Sequence, residues 1–242
     1  MDSTELRATL ETWSQSLDSI DREDLALRLR SLSSAYPFNE YEYRLMYLLD
    51  KSAITFQDYA SLREGYVTTN RYLELFELAP RIFGEIWGQQ HIMDLDSRFL
   101  KPERILNGEY AGQYDLWIEG VRVEVKAARA IDTRTRGSLV AKALTSKDSR
   151  PFWMNFQQLK ADAADVFIFI GVWVDTIRYW ILSADEIRNS PSLSHQHRGG
   201  IEYQIGIRPA NLADFDRYAV QPSQIGDATV SKVRDFSNGT RQ

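Results

Sequence analysis

The stretch that most constrains the fold is "DVFIFIGVWV", residues 165–174, a nearly unbroken apolar run. A strand with one wet face alternates polar and apolar residues; a continuous run marks a strand covered on both faces. Such a strand is central in its sheet, with structure on either side. "IRYWIL" at 177–182 returns after Asp175-Thr176, and "IEYQIGI" at 201–207 alternates as a further strand. With helical patterns around these strands, the expected class is α/β: a mixed, partly antiparallel β-sheet flanked by helices. A chain of 242 residues can bury one sizeable core of this kind and carry a smaller lobe.

The lobe is expected at residues 1–78. "TELRATLETWSQSLDSI" and "REDLALRLRSLSSA" repeat Leu and Ile at helical spacing, and Asn39 can cap "EYEYRLMYLLDKS" beyond the break at Tyr36-Pro37. Thr55 and Thr68 stand where N-caps belong, with Gly65 between them, so 55–78 reads as part of a plain helical lobe packing on the core, with the outline of a helix-turn-helix as the alternative. Residues 79–242 form the expected core. There "PRIFGEIWGQQHI" reads as a helix. So does "PFWMNFQQLKADAA", with Phe152, Phe156, Leu159 and Ala163 along one side. Ser183 and Glu186 fit a capping box, "NLADFDRYAV" reads as helical, and the tail after Gln221 reads as polar and disordered.

Cysteine is absent, which removes disulfides, a cysteine nucleophile and thiolate zinc sites. No segment has the roughly 18 consecutive apolar residues of a membrane span, and the acidic start lacks the order of a secretory signal. A reducing, intracellular location, the cytoplasm, is therefore expected. The net charge of −5 alone argues against a nucleic-acid partner. Its distribution points the other way, because residues 122–150 carry 8 basic groups against 3 acidic ones.

That basic block begins inside a second informative stretch, "QYDLWIEGVRVEVKAA" at 113–128. Strand alternation sends Val121, Val123 and Val125 one way and Arg122, Glu124 and Lys126 the other. With Glu119-Gly120 as a two-residue turn, Ile118 faces Val121, Trp117 faces Arg122, and Asp115 faces Glu124. Directly opposed carboxylates repel, so this pairing is unfavourable unless a cation lies between them. Mg²⁺ suits the position, since it takes one or two carboxylates and keeps several waters. Lys126, on the same face, can position or help deprotonate a water or neutralise a phosphate.

Asp115, eight intervening residues, and Glu124-Val125-Lys126 resemble the motif of the PD-(D/E)xK nuclease superfamily, with the restriction-endonuclease-like fold. The likeness covers about residues 78–210, and Tyr114 stands where the name-giving proline would be. The resemblance implies Mg²⁺-dependent hydrolysis of phosphodiester bonds with Asp115, Glu124 and Lys126 as catalytic residues. It also implies Asp115 and Glu124 as metal ligands, with Glu85 as a further acid from the preceding helix. A chain of this length without an ATPase motif is most similar to a type II restriction endonuclease, a homodimer that cuts both strands of duplex DNA at a specific sequence. A repair or structure-specific nuclease of the same fold, or a catalytically silent DNA-binding module, are the alternatives.

The expected DNA contacts follow the active-site strand. Arg129, Arg134 and Arg136 are placed to grip phosphates. Gln157 and Lys160 share one flank of the next predicted helix. Gln196, His197 and Arg198, in the polar, glycine-rich "SHQHRGG", suit base-edge or phosphate contacts.

Overall fold

The computed structural model describes residues 3–31, 37–196 and 202–239 of the chain, which divides into two units. The first gathers residues 1–77, 134–148 and 173–175; the second holds 78–133, 149–172 and 176–242. The first unit therefore takes in two segments that lie, in sequence, within the region expected to be the core.

Its helices are α1 (Ser3–Ser14), α2 (Ser19–Ser31), α3 (Pro37–Asp50) and α4 (Phe56–Thr69). Helices α1, α2 and α4 each pack against α3, and Leu6, Leu10, Leu45, Leu48, Leu62 and Tyr66 are buried in this unit. Thr55 caps α4 in a reciprocal box with Asp58: its hydroxyl accepts from the Asp58 amide, and its own amide donates to the Asp58 carboxylate. Of the two readings of 55–78, the plain helical one fits and the helix-turn-helix does not form. Helix α4 runs unbroken through Gly65, Thr68 lies in its last turn, and only a 3-10 turn at Leu73–Phe76 follows. A glycine inside a helix costs about 1 kcal/mol relative to alanine. Burying Leu62 and Tyr66, one helical turn apart on either side of it, outweighs that cost.

The second unit is mixed α/β, as the apolar run required. A continuous helical stretch passes through a π-helical segment, Ile82–Trp87, into α5 (Gly88–Leu95). The strands are β1 (Leu116–Ile118), β2 (Val121–Arg129), β3 (Ile131–Asp132), β4 (Phe152–Leu159), β5 (Val166–Val172), β6 (Ile177–Ser183), β7 (Leu193–His195), β8 (Tyr203–Ile207) and β9 (Ala219–Val220). They form a mixed sheet in the order β1-β2-β5-β6-β9 and an antiparallel sheet in the order β3-β4-β8-β7. Strand β2 runs antiparallel to β1 and parallel to β5, which is antiparallel to β6. Every residue of β5 is buried. Its cover comes from the second sheet, where Phe156 stacks on Phe169 with ring centroids 4.2 Å apart, and from α7 (Ile225–Gly239), which packs on β2, β5 and β6. The box between Ser183 and Glu186 opens the short α6 (Ala184–Arg188).

Two elements differ from expectation. The segment at 152–159 is a strand, not an amphipathic helix: buried Phe152, Met154 and Phe156 alternate with more exposed Trp153, Asn155 and Gln157. Phe152, Phe156 and Leu159 satisfy a helical spacing as well, so position alone could not decide, and the aromatic content favours the strand. The tail beyond Gln221 is not merely polar. Ile225, Thr229 and Val230 recur at helical spacing and form the buried face of α7. "NLADFDRYAV" is helical only as a 3-10 stretch, Leu212–Tyr218. Among the described residues no helix is long and apolar enough to cross a membrane.

Candidate active site

The β1–β2 hairpin closes on Glu119 and Gly120, whose φ values of 45° and 90° give the left-handed turn that matches strand twist. The pairs Ile118–Val121, Trp117–Arg122 and Leu116–Val123 follow. One step further the ladder gives way to a side chain. The Asp115 amide donates to the Val123 carbonyl at 3.0 Å, and Asp115 Oδ2 accepts from the Val125 amide at 2.9 Å. The carboxylate thus replaces the backbone acceptor that β1 no longer supplies, which fixes its position against β2.

On β2, the valines at 121, 123 and 125 enter the core while Arg122, Glu124 and Lys126 occupy the opposite face. Arg122 binds both carboxylate oxygens of Asp165, at 3.1 and 2.7 Å, locking the start of β2 to the start of β5. Asp115, Glu124 and Lys126 line one polar cleft of about 150 Å³ together with Gln113, Gln158 and Lys160. Lys126 Nζ lies 2.6 Å from Glu124 Oε1, with the two side chains 18% and 14% exposed. Burial pushes both carboxyl groups above their ordinary range. For Asp115 it outweighs the Val125 N–H and the charge of Lys126; for Glu124 it outweighs Lys126, and the neighbouring Asp115 charge adds to the rise.

A pair of half-buried carboxylates with a cation beside them and open polar volume in front offers few protein ligands. It matches a hard divalent cation that keeps most of its waters, rather than one that demands three or four side chains. Among the described residues no group of three His, Cys, Asp or Glu side chains is arranged to hold a metal. Glu85 does not join Asp115 and Glu124 in such a group. Its exposed side chain pairs with Arg81 at 2.8 Å on the same helical turn. The residue that reaches the site from this helix is Gln89, four positions on: its Nε2 donates to Asp115 Oδ1 at 2.7 Å, and its Oε1 accepts from Lys101 Nζ. The four-residue spacing was a signal for Gln89, since both positions fall on one helix face. An acidic residue drew the reading to Glu85 instead.

The expected DNA contacts divide. Lys160 lines the cleft. Gln157 is exposed but is not part of the lining, whereas its neighbour Gln158 is, a reversal that follows from β4 being a strand whose register shifts between Phe156 and Leu159. Arg129 is not available to a phosphate: it is 8% exposed, donates to the Leu78 carbonyl at 2.6 Å, and lies 3.9 Å over the Phe83 ring. Arg134 and Arg136 are exposed and belong to the first unit. The Gln196 side chain is engaged within the protein, accepting from the Gln158 amide at 2.8 Å. His197 and Arg198 lie outside the described residues.

No family model, curated protein or solved structure matches this chain.

Proposed function

We propose that the chain is a Mg²⁺-dependent endonuclease that hydrolyses phosphodiester bonds in double-stranded DNA at specific sequences, with a restriction-endonuclease-like core. The observation that carries this reading is the convergence of Asp115, Glu124 and Lys126 in one cleft with Gln158 and Lys160. A burial-strained carboxylate pair has no packing advantage over apolar residues, so its retention is best accounted for by a cation it serves. Asp115 and Glu124 would hold Mg²⁺, which supplies a Lewis acid and a water of lowered pKa when bound.

The chain's own groups do the rest. The Val125 amide and Gln89 hold Asp115 in one orientation, so no reorganisation is needed as substrate enters. Lys126, held against Glu124, is the cation nearest the carboxylate pair; it stabilises charge gathering on the phosphate and assists loss of the proton from the attacking water. Lys160 adds positive charge at the cleft wall, where the duplex backbone is expected to lie. A homodimer that cuts both strands belongs to the same reading.

The test is incubation of plasmid and phage DNA with the protein and Mg²⁺, beside Lys126→Ala and an EDTA control. Discrete bands that vanish in both controls are expected, with adenine or cytosine methylation of the DNA protecting it from cleavage. A smear would replace sequence specificity with a repair or structure-specific activity. Salt-sensitive binding without cleavage would leave a DNA-binding module, and neither cleavage nor binding would remove DNA from the account.

A further inference from the structure

In β4 the apolar phase slips. Phe152, Met154 and Phe156 face the core at even positions, but the next core residue is Leu159. The pairing records the slip: Phe156 opposes Ile205, while Leu159 opposes Tyr203, so Gln157 and Gln158 together oppose only Gln204. This is a β-bulge, and Gln158 sits in it at φ 57°, a left-handed conformation that a residue with a Cβ adopts at a cost. Without the extra residue, position 158 would continue the inward phase and a glutamine amide would enter the apolar interior. With it, Leu159 returns to the core, and Gln158 and Lys160 both line the cleft that holds Asp115, Glu124 and Lys126.

The bulge is also held from outside. Gln196, following β7, accepts from the Gln158 backbone amide at 2.8 Å, and its own amide donates to the Glu202 carbonyl at 2.9 Å. Lys160 lies 3.5 Å from Glu202 on the same hairpin. The side-chain amide of Gln158, by contrast, makes no hydrogen bond within the described residues. The bulge serves the fold by returning Leu159 to the core, but the fold does not require the unengaged amide that it presents to the cleft; that amide is free to serve a ligand.

We infer that Gln158 is a substrate-contacting residue whose amide donates to a phosphate oxygen of the bound nucleic-acid strand, and that Gln196 is the positioning residue that aims it. A neutral donor suits this place. Beside two carboxylates and two lysines, the amide adds a directed hydrogen bond to an anion without changing the charge that the carboxylate pair meets. The inference rests on the nuclease reading above and adds to it the residue that grips the substrate on the β4 side.

The test uses the full chain with Mg²⁺ and a short DNA duplex containing the cleaved site. Gln158→Gly removes the amide while keeping a residue that takes φ 57° without strain, so its thermal midpoint should equal or exceed that of the wild type. KM is expected to rise by about tenfold or more, the usual weight of a hydrogen bond to a charged group, with the Mg²⁺-induced stabilisation unchanged. Gln196→Ala should raise KM less, and should add nothing when combined with Gln158→Gly, as coupling through one side chain requires. Wild-type cleavage with an unchanged KM in Gln158→Gly would overturn this inference and leave the nuclease reading standing. Additive effects of the two substitutions would overturn the positioning role of Gln196. A wild-type protein that neither binds nor cleaves DNA would overturn the reading and the inference together.

Discussion

Gln89 Nε2 donates to Asp115 Oδ1 at 2.7 Å, while the Gln89 carbonyl oxygen takes the Lys101 ammonium. The amide orientation is fixed by its neighbours, because a carboxylate only accepts and an ammonium only donates. With the Val125 amide on the other oxygen, both carboxylate oxygens of Asp115 are held before any cation arrives. Outer contacts of this type typically carry about 10–100-fold in metal affinity or activity. Gln89→Ala should therefore reduce Mg²⁺-dependent cleavage by that order with little change in thermal midpoint. Glu85→Ala, which breaks an exposed pair with Arg81 and removes the smallest of the charge effects on Asp115, should cost far less. Parallel titrations of both variants with Mg²⁺ check the ranking, and a larger loss from Glu85→Ala would return the third-ligand role to that residue.

The carboxylate pair sets a pH dependence whose sign can be worked out. Asp115 and Glu124 titrate above their ordinary values because burial disfavours the charged forms. Their contribution to stability is therefore fully present below the unfolded carboxylate range, about pH 4, and is lost as pH rises through the raised folded values. Mg²⁺ compensates the ionised pair, and protons compete with it. The gain in thermal midpoint from millimolar Mg²⁺ should be larger near pH 8 than near pH 5. In Asp115→Asn the gain should be small at both. Scanning calorimetry at the two pH values, with Mg²⁺ and with EDTA, measures it; equal gains in the wild type and the variant would sink the assignment of this pair.

The hairpin was legible because alternation and a two-residue turn determine which side chains share a face: Val121, Val123 and Val125 could go inward only if Glu124 and Lys126 went outward. The β5 strand was legible because its run admits no wet face. The segment at 152–159 was not, since Phe152, Phe156 and Leu159 fit a helix as well as a bulged strand, and the choice depends on Phe169 and Ile205 from distant parts of the chain. Choosing the helix then named Gln157 where the bulged strand presents Gln158. Helix α7 was overlooked for a related reason: its buried face is short and includes Thr229, whose hydroxyl is satisfied by the Ile225 carbonyl at 2.7 Å. Composition registers such a residue as polar, although it is completely buried.

Arg129 illustrates a basic residue recruited by the core. Burial lowers its pKa to about 10, yet it stays charged at neutral pH, resting on Phe83 at 3.9 Å and on the Leu78 carbonyl. Its aliphatic stem and cation–π contact hold the end of β2 to the helix that carries Gln89. Arg129→Ala should destabilise the protein by about 2–4 kcal/mol, as for other large buried truncations. Arg129→Met, which keeps the volume and removes the buried charge, should cost under about 1.5 kcal/mol. Neither should alter the slope of DNA affinity against salt, because a residue without access to phosphate releases no counterion. Urea unfolding and salt-dependent binding of the two variants separate these expectations, and a slope reduced by about one in Arg129→Met would restore a phosphate contact.

Gly171 is the one gap in the side-chain wall of β5, and Trp180 fills it. A Cβ at position 171 would stand 2.5 Å from Trp180 Cζ3, 2.7 Å from its Cη2 and 3.0 Å from Met154 Sδ. Trp180 is 1% exposed and stands edge-on to Phe156, whose ring in turn stacks on Phe169, so the indole has nowhere to move without opening the junction between β4 and β5. Overpacking a close-fitted interior costs typically about 1–3 kcal/mol, and a contact this short with a rigid ring belongs at the upper end. Gly171→Ala should lose about 3 kcal/mol in urea unfolding. Combined with Trp180→Phe, which vacates the same space, it should lose less than the sum of the two single changes. Additive losses would mean that the two positions do not share this space, and that the glycine serves the backbone rather than the tryptophan.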